Sequence, residues 1–203
     1  MSWWSRTSTI PNDDVFYSII AGFVFNCPSC IEYKEKIGVN EKGKPRYKRE
    51  KKPVSGRNST FRSRGVCKDL LVTILAQIRT PLAKSGRYAL IKSEESVEDK
   101  VNQILSSVSF GDSNFELIVF QKRTNMTDTE AFYYYIRNAF AHGSFEVINT
   151  ESGRFYKLES ANDGCIKAQV RVKESSLLQY IEYSEMSSAD VKALQKPKAK
   201  KSK

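Results

Sequence analysis

The segment from Thr127 to Gly143 is punctuated at both ends, and it constrains the chain more than any other stretch does. Thr127-Asp128-Thr129-Glu130 has capping-box spacing: the Thr127 hydroxyl can take the N–H three residues on, and Glu130 can reach back. Gly143 supplies the left-handed residue that closes a helix. A helix is therefore predicted from Asp128 to Ala141, and the rest of the chain must cover one side of it. Glu130, Tyr133, Tyr134, Arg137 and Ala141 follow at three- and four-residue steps and form one stripe. On that stripe Tyr133 or Tyr134 either packs a dimer seam or stacks a base.

Other helices are legible from apolar spacing. Val15, Phe16, Ile19, Ile20, Phe23 and Val24 recur at helical intervals behind an Asn12/Asp13 cap, which predicts a core helix from Asn12 to about Ile31. A second runs through Val66, Leu70, Leu71, Ile74, Leu75 and Ile78, and Pro81 is expected to end it near Thr80. Ser96–Val108 reads as an amphipathic helix closed by Gly111, Asp112, Ser113 and Asn114, and Ser175–Tyr183 as a closing helix. Phe115–Phe120 fits strand or helix equally.

After Gly143 the period changes. Phe145–Ile148, Phe155–Leu158 and Ile166–Val172 are short β-like runs separated by Glu151-Ser152-Gly153 and Asn162-Asp163-Gly164 turns, an antiparallel meander over 144–173. The expected fold is thus mainly α with a small C-terminal meander, in one domain over 1–195.

Charge is distributed unevenly. The chain carries +10, of which residues 34–64 hold +9 and the Lys-rich tail 196–203 holds +5, so the remaining body is slightly acidic. Localised basic charge is the footprint of a polyphosphate partner. Residues 34–64 show almost no apolar periodicity and contain Gly38, Gly43, Pro45, Pro53 and Gly56, so they read as a long basic loop, and 196–203 as a disordered tail. Lys48, Arg49, Lys51 and Lys52 are the candidate RNA contacts on that loop.

No apolar run reaches the ~20 residues that span a bilayer, and the start lacks the pattern of a secretory signal, so a cytoplasmic protein with no membrane partner is expected. Cys27 and Cys30 have knuckle spacing, but a closed zinc site takes four ligands. Inert thiols are the expectation, with no metal and no cofactor; zinc shared with Cys67 or across a dimer is the alternative.

Arg137-Asn138-Ala139-Phe140-Ala141-His142 sets the chain's one histidine five residues after an arginine at the end of the capped helix. Residues five apart on a helix point roughly 140° apart, so the pair is expected to converge only if the chain breaks at Gly143 and His142 curls back. The helix end favours a cationic imidazole while Arg137 and the basic loop oppose it. An imidazole beside a guanidinium suits RNA cleavage: one moves protons, the other stabilises the phosphorane, and the scheme needs no metal. Asn138 could orient a phosphate or the His142 ring, or serve as a capping residue.

The longer string from Thr124 to Phe145 resembles the HEPN superfamily, in particular its plasmid- and phage-borne bacterial branch, over about residues 120–183. The family motif of Arg, a polar residue, three variable residues and His falls on Arg137, Asn138 and His142. The resemblance implies an up-and-down helical bundle that forms a homodimer, the two Arg/His pairs meeting in a shared cleft. It also implies a metal-independent endoribonuclease leaving 2′,3′-cyclic phosphate and 5′-hydroxyl ends, in a toxin or antiphage setting, with an antitoxin or regulatory protein as a possible partner. Non-catalytic members that bind RNA or nucleotide, and a protein-interaction module, are the alternatives. Ser144 stands where the subgroup inactivated by a nucleotidyltransferase partner carries tyrosine.

Overall fold

Two short apolar runs that carry no helical period pair with each other as parallel strands, and this turns the expected helical bundle into a mixed α/β fold. The computed structural model describes residues 10–28, 30–53, 61, 65–107, 114–124 and 126–195, with the backbone path alone for 30–36 and 48–53. In chain order it contains α1 (Asp14–Ile20) running into a π-helical turn (Ala21–Asn26), β1 (Cys30–Val39), β2 (Pro45–Pro53), α2 (Lys68–Ala83), β3 (Tyr88–Ile91) and α3 (Val97–Ser106). There follow β4 (Leu117–Gln121), α4 (Asp128–Ala141), β5 (Phe145–Thr150), β6 (Gly153–Asn162), β7 (Cys165–Lys173), α5 (Glu174–Glu185) and α6 (Ser188–Leu194).

The mainly α expectation is corrected by a five-stranded sheet in the order β3-β4-β7-β6-β5. Strand β3 pairs parallel to β4, with α3 as the crossover that a parallel pair requires. The three strands after α4 pair antiparallel in succession but are longer than read, and β7 docks antiparallel on β4, so they are part of this sheet and not a small separate meander. Within Phe115–Phe120 the strand begins at Leu117. Every residue of β4 is buried, which is why no alternation marks it.

Alternate residues of β4 serve two cores. Ile118 and Phe120 join the large one, with Phe16, Phe23, Ile74, Ile78, Phe132, Tyr133, Ile136 and Leu177, formed by the helices on one side of the sheet. Leu117 and Val119 join the small one on the other side, where Val97, Val101 and Ile104 of α3 cover them. Helix α4 lies at the middle of the large core. Tyr133 is fully buried among Phe23, Phe61 and Phe132, and its hydroxyl donates to the Tyr180 carbonyl at 2.6 Å.

Several helix ends differ from expectation. The first helix stops at Asn26, because Pro28 drives Cys27 to an extended conformation (φ −62°, ψ 130°). Helix α2 passes Pro81 and ends at Ala83. A proline in the last turn forfeits one ladder bond, and the burial of Leu82 holds the turn in place. Asp13 caps α1 by accepting from the Phe16 N–H and also pairs with Arg154, which in turn binds Glu174 at the start of α5.

The basic loop expected over 34–64 is corrected as well: β1 and β2 form a two-stranded antiparallel ribbon from Cys30/Pro53 to Val39/Pro45. Its turn is closed by Asn40, whose side-chain oxygen accepts from the N–H groups of Lys42 and Lys44, with Gly43 at φ +70°. Backbone pairing needs no apolar face, so composition gave no sign of it. Residues 54–60 and 62–64, the residues 108–113 beyond α3, and the tail 196–203 lie outside the described residues. No helix among the described residues is long and apolar enough to cross a membrane.

Replacing Tyr133 with Phe removes one buried hydrogen bond and should cost about 1 kcal/mol, whereas Tyr133→Ala also opens a cavity and should cost about 3–5 kcal/mol. Urea unfolding followed by circular dichroism measures both. A second expectation concerns acid. The hydrogen bond from Arg154, and then that from the Phe16 N–H, holds the Asp13 carboxyl below its ordinary value. Its contribution is therefore complete above the unfolded carboxylate pKa of about 3.9 and is lost as pH falls through the lower native value. Asp13→Asn should flatten that part of the stability curve below about pH 4.

Candidate functional site

The capping box that sequence assigns to Thr127 and Glu130 is formed: the Glu130 N–H donates to Thr127 Oγ1 at 3.2 Å, and Glu130 Oε2 accepts from the Thr127 N–H at 2.8 Å. Thr129 adds a tether, donating its hydroxyl to the Leu71 carbonyl of α2 at 2.7 Å. The start of α4 is thereby fixed to the body.

Its far end is a Schellman closure. The Ser144 N–H reaches the Ala139 carbonyl at 2.8 Å, and the Gly143 N–H reaches that of Phe140 at 3.2 Å, with Gly143 at φ +68°. The His142 N–H still donates to the Asn138 carbonyl at 2.9 Å, so the break falls one residue after the histidine. His142 is thus the C-cap: its N–H still belongs to the helix ladder while its own backbone (φ −99°, ψ 3°) has left the helical range, and the reversal follows at Gly143.

Burial sorts the helix into two faces. Thr129, Ala131, Phe132, Tyr133, Tyr135, Ile136, Ala139 and Phe140 are buried, while Glu130, Tyr134, Arg137 and Asn138 are half-buried and Ala141 and His142 are exposed. At about 100° per residue, Arg137, Ala141, Tyr134, Asn138 and His142 cover an accessible arc of about 140°, with Arg137 and His142 at its two edges. Tyr133 leaves the expected stripe because it packs in the chain's own core, so it neither stacks a base nor forms a dimer seam.

Asn138 acts on Arg137. Arg137 Nη1 donates to Asn138 Oδ1 at 3.1 Å, and Arg137 Nε is buried with no partner among the described residues. An unpaired buried donor costs about 1–3 kcal/mol. That nitrogen is closed to solvent, so an anionic oxygen would have to meet Arg137 through the rest of its half-buried guanidinium.

Arg123 was not singled out by sequence, yet its guanidinium lies 4.4 Å from the centre of the Tyr134 ring, covering the aromatic part of the ridge. Beside it Ser93, Gln121, Lys122, Arg123, Tyr135, Asn162 and Lys167 line a cleft of about 250 Å³. The adjacent Lys122-Arg123 pair was the available signal; what gives it meaning is the loop that brings it back over α4.

The remaining candidates are dispersed. Lys48, Arg49, Lys51 and Lys52 belong to β2, paired with Glu35, Lys34, Glu32 and Ile31 of β1. Cys27 is buried with its thiol directed at the Pro28 carbonyl, whereas Cys67 is exposed at the start of α2. Among the described residues no group of three or more His, Cys, Asp or Glu side chains is placed to hold a metal ion. Searches with the sequence and the fold find no matching family model, no similar curated protein and no similar solved structure.

Gly143 is the one residue whose replacement should disturb the end of this helix without a clash, because nothing lies within 4 Å of the position a β-carbon would take. Gly143→Ala should cost about 1–2 kcal/mol through backbone strain alone, and Gly143→Asn less. Chemical denaturation of the two variants distinguishes strain from crowding, since crowding would penalise the larger Asn more.

Proposed function

We propose that this chain is a metal-independent endoribonuclease that works as a homodimer, with Arg137 and His142 as its catalytic pair and Asn138 positioning Arg137. The observation that carries the reading is the half-buried Arg137 guanidinium, held by Asn138, on the same accessible face of α4 as the chain's one histidine.

The chemistry balances as a transesterification. A base takes the proton of the RNA 2′-hydroxyl, the 2′-oxygen bonds to phosphorus, and the bond from phosphorus to the 5′-oxygen breaks. An acid returns a proton to that leaving oxygen, so the products are a 2′,3′-cyclic phosphate and a 5′-hydroxyl. Arg137 offsets the charge that gathers on the phosphoryl oxygens. One chain holds one histidine, and the reaction uses both an acid and a base. Two-fold pairing across the accessible face of α4 supplies the second imidazole, and the small side chain of Ala141 allows close approach there. Because Arg137 and His142 sit at opposite edges of that face, a complete set is assembled more simply from two copies than from one.

The likeness to HEPN proteins lends support only through the motif helix and the strands after it; the helical bundle is no part of the proposal. A toxin or abortive-defence role, restrained by an antitoxin or regulatory protein, rests on that likeness alone. The cationic cleft of Lys122, Arg123 and Lys167 favours a second reading, in which the chain binds RNA or a nucleotide without cleaving it.

Purified protein incubated with mixed cellular RNA in EDTA should yield cyclic phosphate ends. Arg137→Ala and His142→Ala should each abolish cleavage with circular dichroism unchanged. Mixing the two inactive variants should not restore activity, because their heterodimer keeps a single imidazole where the scheme uses two, one from each copy. Wild-type cleavage by the His142→Ala protein excludes this site, and RNA binding without cleavage by the wild type selects the second reading.

A further inference from the structure

The ribbon of β1 and β2 makes no extensive contact with any other element among the described residues. Its ladder sorts the basic residues that the sequence shows only as a run. Residues paired directly across an antiparallel ladder belong to the same face, and neighbours along a strand alternate. The register Glu32↔Lys51, Lys34↔Arg49 and Lys36↔Tyr47 therefore assigns positions 32, 34, 36, 47, 49 and 51 to one face. The shift between Lys36 and Gly38 leaves Gly38↔Arg46, Glu35↔Lys48, Tyr33↔Glu50 and Ile31↔Lys52 on the other.

The two faces differ in charge balance. The first has four cationic positions against the single acid Glu32, and Lys34 directly opposes Arg49. The second has three cationic positions against Glu35 and Glu50, with Glu35 opposite Lys48. A like-charge pair directly across the ladder destabilises a free ribbon. A polyanion laid along that face relieves the repulsion, while the second face is already close to balance. Tyr47 belongs to the first face and is 51% exposed, the arrangement of a cationic track with an aromatic platform that suits unpaired bases. Duplex RNA is the poorer fit, because its deep, narrow major groove does not admit a ribbon and its bases are already stacked.

We infer that the face carrying Lys34, Lys36, Tyr47, Arg49 and Lys51 is a docking surface for single-stranded RNA, the cations holding the backbone and Tyr47 stacking on a base. The inference takes from the ribonuclease reading only that the partner is RNA. It divides the four basic candidates of the sequence: Arg49 and Lys51 belong to the docking face, Lys48 and Lys52 to the other.

The test compares two triple variants of equal charge change in the full chain, Lys34→Gln/Arg49→Gln/Lys51→Gln against Arg46→Gln/Lys48→Gln/Lys52→Gln. The probe is a fluorescently labelled single-stranded 2′-O-methyl oligoribonucleotide, which cannot undergo attack by a 2′-hydroxyl. Binding is read by anisotropy across a potassium chloride series. The first triple should lose about tenfold or more in affinity, and the slope of log affinity against log salt should become shallower by about 2, at ~0.7 for each phosphate no longer neutralised. The second triple should bind nearly as the wild type does. Tyr47→Ala should weaken binding roughly tenfold, and Tyr47→Phe should restore it. Equal losses in both triples, wild-type affinity in the first triple, tighter binding of a duplex of the same sequence, or equal displacement by polyglutamate would each overturn the inference. Because the probe resists cleavage, binding by this face with no RNA cleavage in EDTA defeats the ribonuclease reading alone. Cleavage with both triples unaffected defeats the ribbon alone.

Discussion

Burial of β4 on both faces is the constraint from which the rest of the architecture follows. A strand with water on neither side must have its backbone paired along both edges and its side chains covered above and below. Strands β3 and β7 supply the edges, α3 covers Leu117 and Val119, and the helices around α4 cover Ile118 and Phe120. Helix α4 is thereby pinned against a rigid surface along its length, with Tyr133 tied to the Tyr180 carbonyl of α5. The accessible residues of that helix owe their fixed positions to this packing, as a precise site requires.

What the sequence revealed follows from where local signals coincide with tertiary need. Helix α4 was legible to its last residue because Thr127, Glu130 and Gly143 are chemical stops, and the meander because its strands alternate between turns. Strand β3 was missed: Tyr88–Ile91 is four residues long, too short to show a period. Helix α6 was passed over although Ser187 and Asp190 form a capping box. The ribbon escaped notice because register in a strand pair that is polar on both faces leaves no hydrophobic trace.

The candidate site shows the same division. Arg137, Asn138 and His142 were legible because they are adjacent in sequence and chemically distinctive. Their relation was not: the hydrogen bond from Arg137 to Asn138, the closure placed after His142, and the approach of Arg123 to Tyr134 all depend on backbone geometry that no spacing rule conveys. On a regular helix Arg137 and His142 fall at opposite edges of the accessible arc, and the reversal at Gly143 comes only after the histidine.

The sparse packing around the β1–β2 ribbon among the described residues has a thermodynamic consequence. Among the described residues no element packs extensively against it, and a two-stranded hairpin on its own is marginal in water, so its free energy of opening should lie well below that of β4. Ribbon amides should then exchange with solvent far faster than those of the sheet. A ligand that grips only the paired form meets a competent fraction below one, and its apparent dissociation constant rises in inverse proportion to that fraction. Residues in the Asn40–Lys44 turn, remote from either face, thus gain leverage over binding: stiffening the turn raises the competent fraction without adding a single contact.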